Sequence, residues 1–201
     1  GLKPIVKLVD LSRVEVPYGQ SWKWQQRLLE HHIDQQQQMH GSSSEEKNNN
    51  KEITHNDDGG TCCCGHLLIM QHKSVYTLGS QTQDDWLKAS DGTDKDKLEY
   101  ETFTIERGGQ ATYHGPGQLV MYPIIDLHYF ERDINLYLRG LEETVINTAK
   151  SFDIEATRVE GLTGVWVGDS KISAIGIKIR RWVTMHGLSL NVNPDTRYFD
   201  K

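Results

Sequence analysis

Ile134, Leu138, Leu141, Val145, Ala149 and Phe152 recur at steps of three and four. That spacing keeps apolar side chains on one face of a helix, so Arg132–Phe152 is expected to be helical. A second helix is expected over Tyr18–Ile33, where Tyr18, Trp22, Leu29 and Ile33, with Trp24 and Leu28 beside them, form a broad apolar face. Elsewhere the period falls to two. Ile175, Ile177 and Ile179 alternate with Gly176, Lys178 and Arg180, which predicts a strand over Lys171–Ile179 with one buried face and one small or basic face. The Gly168-Asp169 turn links it to a strand over Gly164–Val167. Further strands are expected at IVKLVDL near the start, at Leu67–Gln71 and Val75–Leu78 before Gly79, at Glu101–Glu106, at LVMYPIIDL and at HGLSLNV. Strands gathered around two helices and joined by hairpins imply an α+β fold.

Between Asp34 and Gly65 the pattern disappears. DQQQQMHGSSSEEKNNNKEITHNDDGGTCCCG is polar, repetitive and nearly free of large apolar residues, so a disordered low-complexity insertion is expected there. Gln81–Lys97 is polar and loop-like. Hydrophobic residues make up 36% of the 201, which is low for a globular chain and agrees with part of it lying outside a core. The length suits one domain.

A net charge of -6 argues against a general nucleic-acid binder, which needs a basic face to displace counterions. No apolar run approaches a membrane span, so no membrane partner is expected. Gly1 at the start leads to the expectation of a processed product or fragment whose targeting peptide is gone. The three cysteines, Cys62, Cys63 and Cys64, are consecutive and cannot build a spaced disulfide framework within one chain, which points to a reducing compartment.

Candidate chemistry concentrates in RGGQATYHGPGQLVMYP, Arg107–Pro123. Gly108, Gly109, Gly115 and Gly117 let the backbone approach a ligand closely, which suits peptide N–H groups meeting a carbonyl or phosphate oxygen. Arg107 can orient an anion, and His114 can exchange a proton near neutral pH. A glycine-rich hairpin with a structural histidine fits the same residues. The run joins two strands and lacks both GxGxxG opening a helix and GK[ST], so Rossmann and P-loop readings fail.

RGGQATYHGPGQLVMYPIIDL resembles the signature of the lipoyl(octanoyl) transferases. A second block, GLTGVWVGDSKISAIGIKIRRWVTMHGLSLNVNPD from Gly161 to Asp195, is similar to that family's segment carrying its active-site lysine. VPYGQSWKWQ and HLLIMQHKSVYTLG agree more weakly, and the detail is most like the plant plastidial form. The resemblance implies a mixed sheet packed with helices, like the catalytic domain of biotin and lipoate protein ligases. It also implies transfer of an octanoyl group from octanoyl-acyl carrier protein, through a cysteine thioester, to a lysine of lipoyl domains or the glycine cleavage H protein. Arg107, Gly108, Gly109, Gln110, Ala111, Thr112, Tyr113 and His114 would line the acyl site. Ala174, Ile175, Gly176, Gly187, Leu188 and Ser189 would supply backbone contacts, and Lys171 would pair with the nucleophile and lower its pKa. No cofactor and no metal are implied, and a monomer in a plastid, or alternatively a mitochondrion, is expected.

One feature departs from that pattern. The family's nucleophilic cysteine lies in an I-V-P-C-G-like segment after NPDTRYFD, beyond Lys201, so a C-terminally truncated chain that binds better than it turns over is expected. Cys62–Cys64 precede the first site strand and sit far along the chain from Lys171, which sets them apart from that role; with His55 and His66 they lack the paired spacing of a structural zinc site. Lys178, Arg180 and Arg181 suit docking to an acidic carrier protein or a solvated strand face. Two other readings stay open: an ATP-dependent lipoate or biotin protein ligase, and a non-catalytic acyl-binding homologue.

Overall fold

The computed structural model describes residues 3–41, 61–82 and 100–199. A six-stranded sheet runs in the order β1 (Lys3–Val16), β2 (Thr61–His72), β6 (Gln118–Ile125), β9 (Val183–Asn191), β8 (Ser170–Arg180) and β7 (Val165–Val167). Only β1 and β2 pair in parallel there; the other neighbours are antiparallel. A smaller sheet has the order β4 (Glu101–Thr104), β3 (Val75–Leu78) and β5 (Ala111–His114).

Strand alternation sends each face of the large sheet to a different helix. Val120, Tyr122 and Ile124 of β6 and Met185 of β9 pack with Tyr18, Leu29 and Ile33 of α1 (Tyr18–Gly41). On the other face, Met121 and Leu188 pack with Val145 of α2 (Ile134–Lys150). Asp133 caps α2, accepting from the Asn135 and Leu136 backbone N–H groups at 2.8 and 3.0 Å, which contributes about 1 kcal/mol.

The mixed α+β architecture follows the hydrophobic pattern, with two corrections. α1 continues past Ile33 to Gly41, and β2 starts at Thr61, so both flanks of the expected disordered insertion are ordered. Glutamine is a fair helix former, and Gln36 is buried, with its Nε2 donating to the Arg181 carbonyl at 3.2 Å. Residues 42–60, and residues 83–99 of the polar loop, lie outside the described residues. The glycine-rich run also contains a strand of its own, β5, paired with β3.

Candidate active site

The glycine-rich run and the lysine hairpin meet. The Gly108 N–H donates to the Ile177 carbonyl at 3.1 Å, fastening the run to β8. Directly beneath, a Cβ on Gly176 would lie 3.0 Å from the Gly108 oxygen and 3.1 Å from Arg107 Cδ, so this approach needs glycine. Between them is a cavity of about 610 Å³, within the usual range for a small-molecule site. Its walls are Arg107–Thr112 and His114 on one side and Lys171, Ala174, Ile175, Gly176, Gly187, Leu188 and Ser189 on the other.

Tyr113 is the exception among the predicted lining residues. Successive β5 side chains point to opposite faces, so Thr112 and His114 face the cavity while Tyr113 turns away. It stacks on Tyr198 at 4.4 Å and meets Phe199 edge-on. Sequence reasoning passed over other lining residues: Tyr18 of α1, Leu138 of α2, and Leu162 and Thr163 just before β7. Leu138 and Tyr18 carry only a helix-core signal in the sequence, whereas the loop residues lie inside the Gly161–Asp195 block.

Arg107 is buried and holds the loop. Its Nη2 donates to the Thr77 carbonyl at 2.7 Å and hydroxyl at 2.9 Å, and Nη1 to the Gly108 carbonyl at 3.1 Å. Most of its donors are spent on protein oxygens, so its first role is to tie the run to β3. Arg107→Lys keeps the charge and loses the fork. It is expected to lower the unfolding free energy by about 2 kcal/mol in urea titration; an unchanged midpoint would show that the fork fastens nothing.

His114 differs from its expected part. Gln118 Nε2 donates to the Tyr113 carbonyl and to Asn191 Oδ1, which leaves Gln118 Oε1 to accept from His114 Nδ1 at 2.7 Å. The ring is therefore the neutral Nδ1–H tautomer. Burial first, then the neighbouring His72, pushes its pKa down to about 3, so proton exchange near neutral pH is not open to it. His186 is likewise held neutral, with burial lowering its pKa to about 4. Its backbone, at φ 58, donates to Gln25 Oε1 at 2.9 Å. Tyr18 and His186 also line the cavity, and their Oη and Nε2 atoms, both buried, have no hydrogen-bond partner among the described residues.

The register also decides which backbone groups can meet a ligand. In an antiparallel pair a residue's N–H and C=O point to the same side, alternating along the strand. The Ile177 carbonyl points out to Gly108, so Ile175 and Ile177 face away from β9, whereas Ala174 and Gly176 face it across from Ser189 and Gly187. Leu188 in turn faces β6, where it pairs with Met121. Of the six residues expected to offer backbone contacts, Ile175 is thus the one whose N–H turns toward the gap between β7 and the loop; the place a Cβ would take at Gly176 is held by Gly108 and Arg107, and at Gly187 by Met121 and Pro123.

Lys171 lies at the rim with its side chain exposed. Its ammonium sits 5.1 Å from the Trp166 ring centroid, and the surrounding protein lowers its pKa by partial desolvation. The basic residues farther along β8 are occupied: Lys178 Nζ lies 3.2 Å from Glu106, and Arg180 pairs with Glu30. That leaves the strand face less positive than its composition suggests. Cys63 and Cys64 lie on β2, three strand spacings from β8, on the order of 14 Å, so the fold keeps them apart from Lys171.

The model for the lipoyl protein ligase A/B catalytic domain matches residues 17–201. The chain belongs to this family. Among curated relatives, the chloroplastic octanoyltransferase LIP2p2 of Arabidopsis thaliana is 40% identical over 95% of this chain and 60% of that protein. An octanoyltransferase of Gloeobacter violaceus is 39% identical over 92% of this chain and 69% of its own length. The chain spans about three fifths of the length of the first curated relatives it matches, between 57% and 60%. Lipoyl ligase structures share the fold: P. falciparum LipL1 in complex with lipoate has a TM-score of 0.58 at 18% identity, covering 98% of this chain and 51% of its own. A bi-partite lipoate protein ligase from Thermoplasma acidophilum has a TM-score of 0.56 at 17% identity, covering 97% and 64%.

Proposed function

We propose that this chain forms the acyl-binding and thiol-activating part of an octanoyltransferase. The donor is octanoyl-acyl carrier protein, the acceptor is a lysine amine of a lipoyl domain, and the setting is a plastid. The observation that carries this is the single cavity shared by the glycine-rich run and the Lys171 hairpin, in a chain whose curated relatives are named octanoyltransferases. The plastid setting is supported by the chloroplastic Arabidopsis relative.

The chemistry suits these parts. A cysteine thiolate attacks the carbonyl carbon of the carrier thioester, the carbon–sulfur bond to the carrier breaks, and the carrier leaves as a thiolate that takes up a proton. The acceptor amine then attacks the enzyme thioester, the second carbon–sulfur bond breaks, and the amine loses its proton as the amide forms. Exchange between thioesters is nearly neutral in energy, so the protein's task is to provide a thiolate and steady the oxyanion. Lys171 is the ammonium for the first need, and the outward Ile175 N–H is the donor for the second. By resemblance the cysteine lies beyond residue 201, and Lys171 and the Ile175 N–H would serve it.

The protein carried through that cysteine should form an octanoyl adduct on the thiol when mixed with octanoyl-acyl carrier protein. It should pass the group to an unmodified lipoyl domain without ATP, both read by mass spectrometry. Transfer from free octanoate that requires ATP would make it a ligase instead, and binding without any adduct would make it an acyl-binding homologue.

A further inference from the structure

The stem of Lys171 lies across Gly164, where a Cβ would come within 2.6 Å of Lys171 Cε, 3.3 Å of Nζ and 2.6 Å of the Ser173 carbonyl oxygen. Gly164 has φ +138, a conformation side-chain-bearing residues rarely adopt. Its N–H donates to Glu142 Oε1 at 3.2 Å. Glu142 reaches it from α2 and is 1% exposed. Its other oxygen accepts from Arg139 Nη1 at 2.7 Å and Arg158 Nε at 2.8 Å.

A carboxylate buried between helix and sheet is costly, and an apolar side chain of similar size commonly fills such a place with equal stability. Burial would raise the Glu142 carboxyl, but the Gly164 N–H and the two guanidiniums outweigh it and hold the pKa below its ordinary value. What the carboxylate adds is direction. One oxygen anchors to cations on its own side, and the other fixes the backbone of the loop on which Lys171 rests.

We propose that Glu142 is a positioning residue for Lys171: acting through Gly164, it seats the lysine stem so that the ammonium stands over Trp166 at the cavity rim. The functional weight of this rests on the reading of Lys171 as the thiol's partner, but the placement can be tested without that reading. Among the described residues no carboxylate lies within ion-pair distance of Lys171, so its titration reports its surroundings.

The test is NMR of the chain labelled with ¹⁵N- and ¹³C-lysine, with Lys171 assigned by Lys171→Arg. In the unaltered chain the Lys171 side-chain resonances should carry the upfield displacement of a group above an indole ring and titrate below the ordinary lysine value. In Glu142→Gln and Gly164→Ala the displacement should shrink and the midpoint rise toward the ordinary lysine value as the ammonium leaves its desolvated seat. The remaining lysines serve as the internal check that the fold is kept. If either variant keeps its fold and leaves both Lys171 signals in place, the proposal is overturned. Should both lose the fold, Arg158→Gln decides: this guanidinium is partly exposed and touches Glu142 without entering the sheet, and unmoved Lys171 signals there would equally overturn it. Failure of the Lys171 functional reading would show differently, as unchanged thioester formation in Lys171→Ala with the NMR coupling intact.

Discussion

Lys171→Ala, in the protein carried through the family's cysteine, is expected to slow thioester formation roughly tenfold or more at neutral pH and to lose progressively less as the pH rises. A thiol ordinarily titrates near 8.5, so at pH 7 only a few per cent is thiolate. An adjacent ammonium that lowers this pKa by about one unit raises the thiolate fraction nearly tenfold, equivalent to about 1.4 kcal/mol. Above the unassisted thiol pKa both proteins are mostly thiolate and the advantage fades. No other described cation is placed to substitute. The Arg107 guanidinium is spent on Thr77 and Gly108, and Lys178 is paired with Glu106. Lys171 itself is desolvated enough for its pKa to fall, which suits it to give its proton to the departing carrier thiolate and then, as the neutral amine, to accept the proton of the attacking amine in the second step. The measurement is the single-turnover acylation rate against pH, and parallel profiles for the two proteins would remove Lys171 from the chemistry.

Acid is expected to unfold this domain early. His32, His72 and His186 have their pKa values pushed down to about 4, and His114 to about 3, in each case chiefly by burial. In the unfolded chain each titrates near 6.5, so between that value and the folded value the unfolded state binds more protons. The stability these residues contribute as neutral groups is thus fully present above about pH 6.5 and is lost as the pH falls toward 4. The displacements of His32, His72 and His186 correspond to about 3 kcal/mol each and that of His114 to about 5 kcal/mol. His72 and His114 lie 5.9 Å apart between ring centroids, so their contributions overlap and do not simply add, yet the set still amounts to a large share of the roughly 5–15 kcal/mol of a typical domain. Urea titrations from pH 7.5 downward should show the unfolding free energy falling steadily below pH 6.5 and the fold lost before pH 4. A flat profile down to pH 4.5 would show that these rings are not buried neutral.

The hairpin of β7 and β8 and both helices were legible because their hydrophobic periods are clean and their turns carry glycine. The outer residues of the insertion were misread because composition alone hides anchoring. Gln36 looks like linker, yet its amide reaches the Arg181 carbonyl across the sheet, and Cys64 looks like tract yet is buried in β2. At the site, the glycine-rich run announced a close backbone approach, and the resemblance singled out Lys171. What could not be read was direction. Tyr113 faces away because of strand parity, His114 is kept neutral by neighbours distant in sequence, and only the register shows that Ile175 alone of its trio turns its N–H outward. The seating of Lys171 depends on Glu142, which in the sequence is one more acidic residue on an amphipathic helix.

Calorimetric titration with acyl-pantetheine thioesters of graded length asks most directly whether the glycine-rich run and the lysine hairpin enclose an acyl slot. Affinity should climb from butanoyl to octanoyl and fall again by dodecanoyl, and Ala174→Leu, which fills the cavity wall, should weaken octanoyl binding at least tenfold, about 1.4 kcal/mol. Affinity independent of chain length, or untouched by Ala174→Leu, would mean that the cavity is not where the acyl group lies.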